Sequence, residues 1–217
     1  SNVGVAVSDS PLGPFIDKGC LIDSKVIGVQ NSIDQFFYED NGKKYMFWGS
    51  FRGIYATELT DNGLEIKKKT DGTPVLKKRI CGNRFEGTNI YKRGEYYYLF
   101  ASIGTCCNGA TSTYQTVVGR SKNVLGPYLD KTGRDMLYDY CEIIMSGNET
   151  WAGPGHNSIL VQDDVGTDWI IYHGYKKKEA ENGRYVLMDK LIWSNDGWPS
   201  VKSNAPSILE VAPYFQK

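Results

Sequence analysis

Apolar positions in this chain come in short runs bounded by turn formers. "KKYMFWGS", "YYYLFAS" and "DWIIYHGY" are rich in aromatic and β-branched residues and lie between Gly, Asn and Asp turns. No segment sustains a 3.6-residue apolar period, so the pattern predicts an all-β chain. Two internal repeats organise it. "AVSDSPLGPFIDK" from Ala6 returns 113 residues later as "GRSKNVLGPYLDK" from Gly119, with Ser, Leu-Gly-Pro, an aromatic, an aliphatic and Asp-Lys in register. "DQFFYEDNGKKYMFWGS" from Asp34 aligns without gaps on "EGTNIYKRGEYYYLFAS" from Glu86, an offset of 52. A third copy, "HNSILVQDDVGTDWIIYHGY", starts at His156 with two extra turn residues.

Each copy reads as a strand, a hairpin turn at Gly42, Gly94 or Gly166, and a second strand. The spacing of roughly 50 to 70 residues leaves room for two more strands, the size of a four-stranded propeller blade. The expected architecture is a β-propeller, incomplete in this chain at about three and a half blades, since residues 1–17 match only the second half of a unit. The expected divisions of this single partial domain, residues 1–217, are 1–30 as the end of a truncated blade, 31–85 and 86–152 as blades, and 153–217 as a blade with a C-terminal segment. In a propeller the first strand of each blade lines the central channel, so Asp34, Glu86 and His156 are expected to start inner strands around one axis.

Composition narrows the partners. Of 217 residues 41% are hydrophobic, enough for a full core, and no apolar run approaches the ~20 residues of a membrane span. Lys plus Arg and Asp plus Glu both number 25, so no net field draws the chain to nucleic acid or to an anionic membrane. Fifteen Tyr, 8 Phe and 5 Trp suit strands and also suit stacking on sugar rings. Five cysteines, without C-x-x-C spacing, indicate neither a zinc site nor a disulfide framework, and the adjacent Cys106 and Cys107 read as a plain thiol pair. No basic region followed by an apolar stretch marks an export signal.

By residue type alone, Glu86 and Asp34 fit a turn or a salt bridge as well as catalysis. Two carboxylates at one pocket can also divide acid and base labour, as glycoside cleavage requires. His156 alone fits a satisfied core residue, and one imidazole is a poor ligand for a hard cation. Asn31 and Ser50 fit turn hydrogen bonding and Phe51 fits core packing.

Together the motifs carry more. "NSIDQFF" with "WGSF", "FEGTNIYKRGEYYYLFAS", "CCNGATSTYQTVVGRSKNVLGPY", "GPGHNSI" and "YHGY" resemble glycoside hydrolase family 43, most of all its endo-acting α-1,5-L-arabinanases, from the first residues to about Val201. The resemblance implies a five-bladed propeller that hydrolyses arabinan with inversion. It implies Glu86 as general acid and Asp34 as the carboxylate that orients the acid and raises its pKa. It implies His156 as the residue reaching a channel ion, usually Ca2+, mostly through water. Asn31, Ser50, Phe51, Thr105, Cys106 and Cys107 are implied as sugar contacts or cleft-shaping positions. Gln35 departs from the family's Pro after the aspartate. The family's general base, an Asp on the first inner strand, has no match in these residues. An N-terminal fragment or a second chain is therefore expected to complete the propeller.

The partners expected are arabinan or its oligosaccharides, and the location secreted or periplasmic. A non-catalytic carbohydrate-binding remnant, a member acting on xylan or arabinoxylan, and a protein-interaction scaffold are the alternatives.

Overall fold

The computed structural model describes residues 1–216. They form antiparallel sheets in chain order. Strands β1 (Asn2–Val7) and β2 (Ile16–Asp23) pair as a ribbon. Strands β3 (Phe36–Asp40), β4 (Lys43–Trp48), β5 (Ile54–Glu58) and β6 (Lys78–Cys81) make a four-stranded meander. So do β7 (Glu86–Arg93), β8 (Tyr96–Ile103), β9 (Gln115–Ser121) and β10 (Glu142–Met145). In the next sheet β11 (Trp151–Gly155) and β12 (Val161–Gln162) both pair with β13 (Asp168–Lys176), which pairs on its other side with β14 (Arg184–Lys190). A short ribbon of β15 (Ile192–Trp193) and β16 (Pro199–Ser200) follows. A single α-helical turn, α1 (Ser24–Ile27), is capped by the Asp23 carboxylate and closed by Gly28 in the left-handed region.

The hairpins turn where the repeats predict. Asn41 and Gly42, φ +50° and +75°, join β3 to β4, the two left-handed residues that match the twist of paired strands. Gly94 (φ +59°) opens the two-residue turn between β7 and β8, and Gly166 (φ +81°) turns β12 into β13. The Leu-Gly-Pro repeat is also one local structure used twice. Gly13 donates to the Ser10 carbonyl and Gly126 to the Asn123 carbonyl, each at 2.9 Å, with φ +81° and +76°.

Alternation along the second strands explains why they read as unbroken apolar runs. On β8, Tyr97, Leu99 and Ala101 face a core shared with Phe47, Ile54 and Ile80 of the preceding sheet. Tyr98 and Phe100 face the opposite way, into a core with Ile170, Tyr172 and Trp198. On β4, Tyr45 and Phe47 face the first of these cores, while Met46 and Trp48 pack with Val3, Leu21 and Ile22 of the opening ribbon. A sheet buried on both faces needs apolar side chains at every position, and the period of two is hidden.

One expectation changes. Glu86 does start a strand, but Asp34 lies two residues before β3 and His156 falls in the break between β11 and β12. Their φ values of +54° and +50° take the backbone out of the extended region, so neither can continue a ladder.

Leu99, with no exposed surface, sits at the centre of one inter-sheet core. Leu99→Ala is expected to cost about 2–5 kcal/mol in chemical denaturation, through lost burial and the cavity left behind.

Candidate active site

Asp34 and His156 line one cavity of about 490 Å³, with Gly87, Thr88 and Asn89 between them. Glu86 immediately precedes that run at the start of β7. The backbone is shaped for this. Asn31, Asp34, Phe51 and His156 all have φ between +49° and +55°, half of the eight non-glycine residues with positive φ among the described residues. Such conformations cost of order 1–3 kcal/mol each and persist where the surroundings impose them.

Glu86 is 7% exposed, and both of its carboxyl oxygens are occupied. The Ser50 hydroxyl, from the end of β4, donates to Oε2 at 2.7 Å, and the Tyr114 phenol donates to Oε1. Next along the chain, the Gly87 amide donates to Asp34 Oδ2 at 3.3 Å. Gly87 has φ +63°, and a Cβ there would come within 3.1 Å of the His156 ring, so only glycine lets this imidazole lie over the acid's strand. The His156 amide donates to Ser102 Oγ at 2.7 Å, and Ser102 is the cross-strand partner of Glu86. Two sheets and a strand break thus converge on one point. Burial raises the Asp34 carboxyl above its usual range and the neighbouring Glu86 adds to that, while His156 and the Gly87 amide pull it down.

Asn31 donates from Nδ2 to the Ser50 carbonyl at 2.9 Å, and the Phe51 amide donates to the Phe85 carbonyl at 3.0 Å. These two residues tie the end of β4 to the segment entering Glu86. Because Glu86 pairs with Ser102, the loop of residues 104–113 leaves β8 at the acid's end of the sheet. It is pinched shut by Thr105 and Thr113: the Thr113 amide donates to the Thr105 carbonyl and the Thr105 amide to Thr113 Oγ1, both at 3.1 Å.

Cys106 and Cys107 in this loop are not a thiol pair. They form a disulfide between neighbours, with Cα atoms 3.8 Å apart, shorter than the span of ordinary bridges. Spacing rules look for bridges that close long loops, and an odd cysteine count conceals a bond between adjacent residues. Cys20, Cys81 and Cys141 remain free.

Two further residues belong to the site and had no site signal of their own in the sequence. Tyr114 is 1% exposed and stacks on His173, ring centroids 5.9 Å apart. The faint sign of it is "WAGPGHN": a Cβ at Gly155 would overlap the Tyr114 ring, and one at Gly153 would meet Ser112. His173 lies on β13 with its Nε2 3.4 Å from the Arg184 guanidinium. Arginine only donates, so Nε2 is placed to accept, while Nδ1 is buried without a partner.

Among the described residues no three His, Cys, Asp or Glu side chains gather as metal ligands. The residues around the cavity instead carry neutral oxygens. Thr88 Oγ1, Asn89 Oδ1 and Asn157 Oδ1 are buried without hydrogen-bond partners, and all three residues line it with Asp34 and His156. Hydroxyl, amide and carboxylate oxygens fit a hard cation that keeps much of its water.

A family model described as glycosyl hydrolases family 43 matches residues 1–199. Among curated relatives, an extracellular exo-α-(1→5)-L-arabinofuranosidase of Cellvibrio japonicus is 35% identical over 93% of this chain and 62% of its own length. An extracellular endo-α-(1→5)-L-arabinanase of Bacillus subtilis is 35% identical over 92% of this chain and 60% of its own. The chain thus spans about three fifths of the length of these relatives. A solved α-L-arabinanase of Cellvibrio cellulosa, in complex with arabinohexaose, superposes with TM-score 0.77 at 33% identity, covering 93% of this chain and 69% of that one.

Burial, Arg184 and His156 together lower the His173 imidazole from 6.5 to about 4. Between these values the unfolded chain binds a proton that the folded chain does not, so stability falls as pH drops through the window and levels below it. Denaturation of wild type and His173→Asn across pH 4 to 7 is expected to show the wild type losing more stability towards the acid side.

Proposed function

The chain belongs to glycosyl hydrolase family 43, and on that premise we propose that it carries the acid side of an arabinan hydrolase cleaving α-1,5-linked L-arabinose units with inversion. The observation that carries this reading is Glu86: a buried carboxyl, hydrogen-bonded on both oxygens, beside a second carboxyl on an open cavity. Carboxyl groups are buried at a cost, and a structural salt bridge would pair them with cations. Here the partners are two hydroxyls, of Ser50 and Tyr114.

Glu86 donates its proton to the departing glycosidic oxygen. Asp34 orients the acid through the Gly87 amide and stands beside it as a second carboxyl. Water attacks from the opposite face of the ring, activated by a base at a separation of ~6.5–9.5 Å from the acid. That base lies outside these 217 residues, on a further segment of the polypeptide or on a second chain completing the propeller. The sheets are its blades, divided at 1–30, 31–85, 86–152 and 153–217. Asn31, Ser50, Phe51, Thr105 and the Cys106–Cys107 bridge form the sugar-contacting rim at the acid's end of the sheets. His156, with Asn89 and Asn157 beside it, would hold a hydrated Ca2+ in the cavity, which would supply positive charge beside the two carboxyls. The relatives named extracellular, and a polymer too large to enter cells, support a secreted or periplasmic location.

Glu86→Gln is expected to lower kcat for reducing-sugar release from linear arabinan by ~10²–10⁴-fold with KM little changed, in a polypeptide that is active as wild type. Unchanged kcat would remove Glu86 from the acid's role. Chelation with EDTA is expected to lower the melting temperature, and added Ca2+ to restore it, because an ion that binds only the folded state stabilises it.

A further inference from the structure

Tyr114 is clamped where it stands. Its ring lies between the acid's sheet and the next, stacked on His173 with planes 23° apart. The space for it exists because residue 155 is glycine. Its phenol donates to Glu86 Oε1, and burial with the adjacent carboxylate pushes that phenol's pKa well up, so it keeps its proton. Ser50 holds the other oxygen differently. Its hydroxyl turns about a single bond and has Glu86 Oε2 as its partner at 2.7 Å.

Both oxygens of Glu86 are engaged, yet a general acid must present one of them to the substrate. A ring wedged between two sheets cannot withdraw, whereas a rotatable hydroxyl can. We infer that Tyr114 is a positioning residue for the acid: it fixes Oε1 so that Oε2, on the Ser50 side, is the oxygen that carries and delivers the proton. The inference rests on the reading of Glu86 as general acid. In the step itself the O–H bond at Oε2 breaks as the proton passes to the glycosidic oxygen. The bond from that oxygen to the anomeric carbon breaks with its electron pair staying on oxygen. Water supplies the new hydroxyl at carbon and loses its proton to the base. Glu86 is left as a carboxylate, and the Tyr114 hydrogen bond, now to a full charge, is stronger than before the transfer.

The test compares wild type and Tyr114→Phe in the full polypeptide on two substrates: linear arabinan, and an arabino-oligosaccharide with a dinitrophenolate leaving group that departs without protonation. Tyr114→Phe is expected to lose about 10- to 100-fold in kcat on arabinan with KM within about twofold, the scale of one hydrogen bond to a charged group. On the activated substrate the loss is expected to be at least about tenfold smaller, since no proton need be delivered. Equal losses on both, a change in KM alone, or no loss would overturn the inference. So would a Tyr114→Phe protein that fails to fold, because the hydroxyl would then serve the structure. A wild type inactive on both substrates overturns the hydrolase reading itself, which separates the two failures.

Discussion

A carboxyl group almost without solvent has to find its donors inside the protein, and Glu86 finds them on two different elements. Ser50 comes from the end of β4 in one sheet, and Tyr114 from the loop before β9 in the acid's own sheet. Tyr114 is in turn held by His173 on β13 of the next sheet and by the absence of a side chain at 155. The geometry of one side chain therefore depends on three sheets keeping their relative positions.

Those positions are set by the inter-sheet cores. Because β4 and β8 send alternate residues to opposite faces, each sheet is fixed by apolar contact on both sides. Left-handed residues at the sheet ends then do what regular strands cannot. Asp34 and His156 leave the ladder and reach the cavity, and Gly87 lets an imidazole lie against the acid's backbone. Of the eight non-glycine residues with positive φ among the described residues, Asp34 and His156 line the cavity.

Much of this was legible in the sequence, for physical reasons that also mark where legibility stopped. Repeats preserve turn chemistry, so the hairpins at Gly42, Gly94 and Gly166 and the two Leu-Gly-Pro turns align in the sequence itself. The same alignment brings Asp34, Glu86 and His156 to equivalent places; Asp34 and His156 line one cavity with Gly87, the residue after Glu86. It could not reveal that Asp34 and His156 sit outside the strands, because a positive φ at Asp or His leaves no pattern in neighbouring residues. Tyr114 escaped because its contacts are long-range: 28 residues to Glu86, and a stack onto β13. The bond between Cys106 and Cys107 escaped because adjacency is not a spacing that cysteine counting tests. Deleting a role for Ser50 as a turn residue likewise required seeing its hydroxyl on Glu86 and not on its own loop.

On the proposed function, the cavity beside Asp34 and His156 receives a sugar linkage within reach of Glu86. A crystal structure of the Glu86→Gln polypeptide with a bound arabino-oligosaccharide tests it most directly. An inter-sugar oxygen is expected about 2.6–3.2 Å from the side chain at position 86, on the side facing Ser50. An oligosaccharide seated away from this cavity, or one whose linkage oxygens all lie beyond hydrogen-bond reach of that side chain, would contradict it.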